Sequence, residues 1–95
     1  MNIIYPIEWD ERDNFERPAK GWLSDVIVQT SEDVQFNLCF YDPVRLAQEI
    51  QDELASGKAG FIEVGLIVVP EVTKLNIEKA IKQAENQGYF KSTKL

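Results

Sequence analysis

The chain has 95 residues and a formal net charge of −6 at pH 7, with 44% hydrophobic and 27% charged residues. This length suits one domain, and the composition is that of a folded chain rather than a disordered one. The longest apolar stretch, residues 65–70, is far shorter than the roughly 20 residues of a membrane-spanning helix. The first ten residues lack the basic start and cleavage site of a signal peptide, so we expect a cytoplasmic protein.

The residue types restrict the chemistry that the chain can perform. It contains no histidine and a single cysteine, Cys39. The commonest general base and metal ligand is therefore absent, and an internal disulfide or a cysteine-based zinc site cannot form. Leu38 and Phe40 flank Cys39, and no basic residue lies within five positions, so nothing predicts a reactive thiolate. We expect no enzymatic activity, no cofactor and no metal site.

The negative charge is concentrated in the middle of the chain. Residues 21–57 carry seven acidic side chains and one basic side chain, a net charge of −6, whereas residues 58–95 carry four acids and six lysines. Because nucleic-acid binding needs a basic track, we expect no nucleic-acid partner. We also expect no membrane partner, because the apolar stretches are short. An acidic surface favours a basic protein partner, although the same charge also serves solubility alone.

The first 20 residues are predicted to form an extended arm followed by a charged loop. Apolar residues alternate along residues 2–9, namely Ile3, Tyr5, Ile7 and Trp9. Pro6 lacks a backbone donor, which confines this segment to an edge strand or a free arm. Residues 10–20 are charged and end in Pro18 and Gly21, which indicates a loop with at most one helical turn near Asn14.

Two alternating runs predict an antiparallel hairpin, with strands over residues 22–30 and 34–41 and a polar break between them. Asp42 and Pro43 then predict a helix over residues 43–56, because aspartate suits the N-cap and proline the first turn.

The second half of the chain predicts one more strand and one more helix. Residues 61–69 are apolar on both faces, which indicates a strand in the middle of the sheet, with a bulge or a close backbone approach at Gly65. Thr73 is the predicted N-cap of a helix over residues 74–87, which Gly88 ends. Residues 91–95 are predicted to be a loose tail.

The element order predicts a single α+β domain over residues 1–95. A hairpin followed by β-α-β-α gives a two-layer fold, with a three- to four-stranded mixed sheet and two helices on one face. The opposite face, which carries Cys39 and Tyr41, then needs a cover. The N-terminal arm or a second protomer would supply it, so a homodimer is one expectation.

Two groups of residues are candidates for a functional site. The partner-binding group combines aromatic rings with acidic side chains and consists of Trp9, Tyr41, Glu49, Asp52 and Glu53. The ligand-binding group lies where two parallel strands would end and consists of Asp42, Arg45 and Glu71. There Arg45 and the helix amides would hold a small anion, with Tyr41 stacked on it. Simple helix capping by Asp42 and Thr73 is the competing interpretation.

These observations favour a non-catalytic protein-binding module, with self-association as one form of that function. One alternative is an acidic inhibitor of the immunity type, which masks a basic toxin or nuclease. Its contacting charges would be Asp25, Glu32, Asp33, Glu49, Asp52 and Glu53. A second alternative is anion binding or a minor enzymatic activity at the strand ends near Tyr41, Asp42 and Glu71. The residues resemble no protein family that we recognise.

Overall fold

The computed structural model describes residues 1–91. Its elements are β1 (Asn2–Ile4), α1 (Glu11–Lys20), β2 (Trp22–Gln29), β3 (Gln35–Tyr41), α2 (Pro43–Ala55), β4 (Leu66–Val68) and α3 (Lys74–Asn86). One sheet has the strand order β1-β2-β3-β4, in which only the β3–β4 pair is parallel. The predicted α+β class and mixed sheet are confirmed. Apart from Lys91, the predicted tail lies outside the described residues.

The hydrophobic core lies between one face of the sheet and α3. The strand register brings the apolar residues of β2 and β3 onto this face, namely Leu23, Val26, Val28, Phe36, Leu38 and Phe40. From α3, Ile77, Ile81 and Ala84 pack against them. Thr73 Oγ1 accepts a hydrogen bond from the Asn76 amide at 3.1 Å, which confirms the predicted cap of α3.

The N-terminal arm packs on the core side of the sheet. Ile3 of β1 lies opposite Val28, and Tyr5 and Ile7 are half-buried against the core cluster. The predicted alternation and edge position are therefore confirmed for the start of the arm. The suggestion that the arm covers the Cys39 face is wrong, because these apolar side chains pack on the opposite side.

Residues 11–20 form a ten-residue helix, α1, and not the predicted loop. Asp10 Oδ1 accepts a hydrogen bond from the Asp13 amide at 2.8 Å, and Arg12 pairs with Glu16 one turn later. Gly21, with φ 75°, ends the helix. No side chain of α1 is buried. Its sequence therefore has no apolar periodicity from which a helix could be predicted.

β4 is a three-residue edge strand, so the predicted central strand over residues 61–69 is wrong in both length and position. Gly65 adopts φ 75°, and a Cβ atom there would overlap the carbonyl oxygen of Asn37. Its own carbonyl accepts a hydrogen bond from the Cys39 amide at 2.9 Å. The predicted close approach is confirmed, but the chain bends at Gly65 and leaves residues 61–64 outside the sheet.

α2 begins at the predicted position and remains outside the core. Asp42 Oδ1 accepts a hydrogen bond from the Arg45 amide at 2.7 Å, which confirms the predicted cap. None of its side chains is buried, and its apolar residues are half-buried or exposed: Val44, Leu46, Ala47, Ile50 and Leu54. The Cα atoms span 41 × 40 × 19 Å.

Candidate functional site

A β-bulge interrupts β2 and lies opposite Cys39. The register with β3 shifts between Leu23 and Val26, so Ser24 and Asp25 together lie opposite Cys39. Asp25 adopts φ 60°, a left-handed conformation that aspartate tolerates better than most residues. It is exposed, and its Oδ1 accepts a hydrogen bond from the side-chain amide of Asn37 at 3.2 Å.

A cleft of about 330 Å³, here termed the bulge cleft, separates this bulge from the segment that precedes β4. Two features meet in it: the carboxylates of Asp25 and Glu63, and the apolar side chains of Ile62 and Val64. Ile62 is 87% exposed and Val64 is 89% exposed, the highest values among the large hydrophobic side chains described. The remaining lining residues are Ser24, Asn37 and Cys39. The bulge cleft thus offers acidic, hydrogen-bonding and apolar groups side by side.

Cys39 and Tyr41 are buried on the same face of the sheet, 4% and 9% exposed. Burial, followed by the charge of Glu63, raises the pKa of the Cys39 thiol to about 11. Burial also raises the pKa of Tyr41 to about 12, and Cys39, Glu49 and Glu63 contribute to this shift. Both groups are therefore protonated near neutral pH, and Cys39 supplies no thiolate nucleophile.

The predicted acidic contacts on α2 differ in how far their charge is compensated. Glu49 accepts a hydrogen bond from Arg45 at 2.8 Å, one turn away. Glu53 pairs with Lys58 in the segment that follows the helix. Asp52 is exposed and forms no ion pair with another residue of the described part. The local basic partners reduce the charge that α2 presents to another molecule.

Trp9, one of the two aromatic contact residues predicted from the sequence, lies in the core. It is 9% exposed, and its ring meets Tyr5 edge-on at a centroid distance of 5.5 Å. Its φ of 58° is rare for a bulky side chain. The sequence placed Trp9 at the surface because it lies between an apolar arm and acidic residues. Its burial leaves it little area to offer a partner.

The predicted ligand-binding residues do not share a cleft. Tyr41 lies opposite Val68 in a parallel register, so the strands end at one edge of the sheet as expected. Asp42 and Arg45 line a cleft of about 240 Å³, but Glu71 does not line it. Asp42 caps α2, and Arg45 pairs with Glu49. Asp42 and Thr73 thus cap their own helices, as the capping interpretation predicts, and Arg45 already has a carboxylate partner.

Sequence reasoning missed Ile62, Glu63 and Val64 as site residues. Their apolar pattern suits a buried strand equally well, and only the bend at Gly65 separates them from β4. The charge of Glu63 within the run was the available signal, since a strand in the middle of a sheet seldom carries a carboxylate. Asp25 was considered as an acidic contact, but its proximity to Glu63 depends on the bulge.

Comparisons with models of protein families, with curated proteins and with solved structures find no match to this chain. Within residues 1–91, no three side chains of the histidine, cysteine, aspartate and glutamate types are grouped to hold a metal ion. In the same part of the chain, no helix combines the length and the apolar character needed to cross a membrane.

Proposed function

We propose that this chain is a non-catalytic protein-binding module, and that it contacts its partner through the bulge cleft and the adjoining side chains of Ile62 and Val64. The observation that carries this proposal is the nearly complete exposure of these two apolar side chains beside a cleft. Fully burying a side chain of this size contributes about 1.5–3 kcal/mol. Together, these two neighbouring side chains supply apolar area that a partner can bury.

The state of the polar groups supports binding over catalysis. A nucleophile needs a lowered pKa or an adjacent base, and the chain has no histidine to provide one. The pKa of Cys39 is raised instead. At the strand ends, Asp42 and Arg45 are engaged in a helix cap and an ion pair.

Affinity capture with matched variants tests this function. The immobilised chain is incubated with native lysate of the organism that encodes it, and retained proteins are identified by mass spectrometry. We expect a defined protein to bind the wild-type chain and to be lost with the double variant Ile62→Asp/Val64→Asp. Leu75→Asp is the control, because Leu75 is also an exposed apolar residue, at 63%, and lies on α3.

Circular dichroism and urea unfolding establish that the variants remain folded, as the exposure of the substituted side chains predicts. Retention of the same protein by the double variant and by the wild-type chain would contradict the proposed surface. A thermal shift with inorganic phosphate that Arg45→Gln abolishes would instead favour anion binding at the strand ends.

A further inference from the structure

We infer that the bulge cleft receives an arginine or lysine side chain from a segment of the partner in which apolar residues flank the basic one. This inference rests on the proposed function and specifies the chemistry of the partner. Its basis is the combination of two carboxylates and two exposed apolar side chains around one cleft.

The two carboxylates of the cleft lack basic partners within the chain. Neither Asp25 nor Glu63 forms an ion pair with any residue among 1–91, whereas Glu16, Glu49 and Glu53 do. Asp25 accepts a hydrogen bond from the neutral amide of Asn37, which leaves its charge uncompensated. Carboxylate oxygens accept hydrogen bonds from a guanidinium or an ammonium group, and such charge-assisted bonds are stronger than neutral ones.

The surroundings of the carboxylates suit a long basic side chain. The cleft volume of about 330 Å³ leaves room for one long side chain. Ile62 and Val64 lie beside the carboxylates, where the methylene stem of arginine or lysine packs against apolar surface. The charges of Glu63 and Asp25 also contribute to the raised pKa of Cys39, which lines the same cleft.

A second copy of the chain suits this surface less well than a basic partner. A two-fold contact through the bulge cleft would bring Asp25 and Glu63 of both copies together, and like charges across an interface are unfavourable. Basic residues on α3 are the other candidates for docking into a second copy, but Glu78 and Glu85 lie among Lys74, Lys79 and Lys82. A head-to-tail contact of that kind also does not close into a dimer.

Titration of the ¹⁵N-labelled chain with three synthetic peptides of equal length tests the inference by NMR. The first alternates leucine with arginine, the second replaces arginine by glutamate, and the third replaces leucine by serine. We expect the first peptide to shift the amide signals of Asp25, Asn37 and residues 62–64. Its affinity should exceed that of each other peptide at least tenfold and should weaken as sodium chloride is raised.

Charge-neutralising variants distinguish binding by the carboxylates of this cleft from attraction by the net charge of the chain. Asp25→Asn/Glu63→Gln should weaken binding of the leucine-arginine peptide at least tenfold, whereas Glu32→Gln/Asp33→Asn, with the same change in net charge, should leave it unaltered. Glu32 and Asp33 lie in the turn between β2 and β3, which makes them a matched control.

Equal binding of the arginine and glutamate peptides would overturn the inference, and so would absence of shifts around the bulge cleft. Shifts that grow with the concentration of the chain alone would identify a second copy as the occupant and would also overturn it. These results concern only the chemistry of the partner. The proposed contact surface is tested separately by affinity capture, and it fails if the Ile62→Asp/Val64→Asp variant still retains the partner.

Discussion

Gly65 determines where β4 begins to pair with β3. Its φ of 75° and the position of the Asn37 carbonyl both exclude a Cβ atom. We expect Gly65→Ala to lower the free energy of unfolding by about 1–3 kcal/mol, as measured by urea denaturation. Gly60→Ala is the matched control, since a Cβ at that position meets no atom within 4 Å, and its effect should stay within about 0.5 kcal/mol. Equal effects of the two substitutions would contradict this role.

Cys39 and Tyr41 predict a loss of stability at alkaline pH. Their folded-state pKa values of about 11 and about 12 exceed the ordinary values of 9.0 and 10.0. The unfolded chain therefore releases these protons at lower pH than the folded chain does. The stabilisation is complete below pH 9 and is lost as pH rises toward the folded-state values.

Urea unfolding between pH 7 and pH 11 measures this effect, and Cys39→Ala should reduce the slope above pH 9. The native thiol should also react slowly with a disulfide reagent at pH 8, because burial disfavours the thiolate. A flat stability profile up to pH 11, or labelling as fast as that of a free thiol, would show that the thiol is accessible and easily ionised.

Among the helices, α1 and α3 differ in the interactions that stabilise them. α1 depends on its cap and on ion pairs between its own residues, whereas α3 buries three side chains in the core. We expect Asp10→Ala to cost α1 about 1 kcal/mol, which lowers the hydrogen-exchange protection of its amides roughly fivefold. Thr73→Ala removes the corresponding cap of α3, yet the amides of α3 should keep protection close to the global limit. Unchanged exchange in α1 after Asp10→Ala would refute this difference.

The elements that the sequence predicted best are those with a local signal. Alternation in β2 and β3, and apolar stripes with capping residues in α2 and α3, set bounds within two residues of those observed. α1 escaped prediction because its stabilisation comes from Asp10 and from charge pairs, not from apolar spacing. The extent of β4 depended on the backbone of one glycine, Gly65, which packs against a strand distant in sequence.

The candidate site was less predictable than the fold for a related reason. Its composition depends on two tertiary features, the bulge at Asp25 and the bend at Gly65, which bring Asp25 and Glu63 to one cleft. Neither feature has a periodic signature. For Trp9, the local sequence was misleading. It lies between an apolar arm and acidic residues and was expected at the surface, but it is buried in the core.

In the molecule as a whole, the core cluster packs against one face of the sheet, and the bulge cleft opens on the other. Segment 61–64 and α2 lie outside the core, and their exposed apolar side chains adjoin acidic ones. The proposed binding function is consistent with these side chains, because they are already displayed at the surface of the free chain.

Site-specific photo-crosslinking in living cells tests whether the bulge cleft contacts a partner protein. A photoreactive phenylalanine analogue replaces Ile62 in one variant and Leu75, on α3, in the other. We expect irradiation to link the first variant to a single different protein, with a basic segment at the crosslinked site, and the second variant to form no such adduct. Equal adducts from both positions, no adduct from position 62, or an adduct to a second copy of the chain would contradict it.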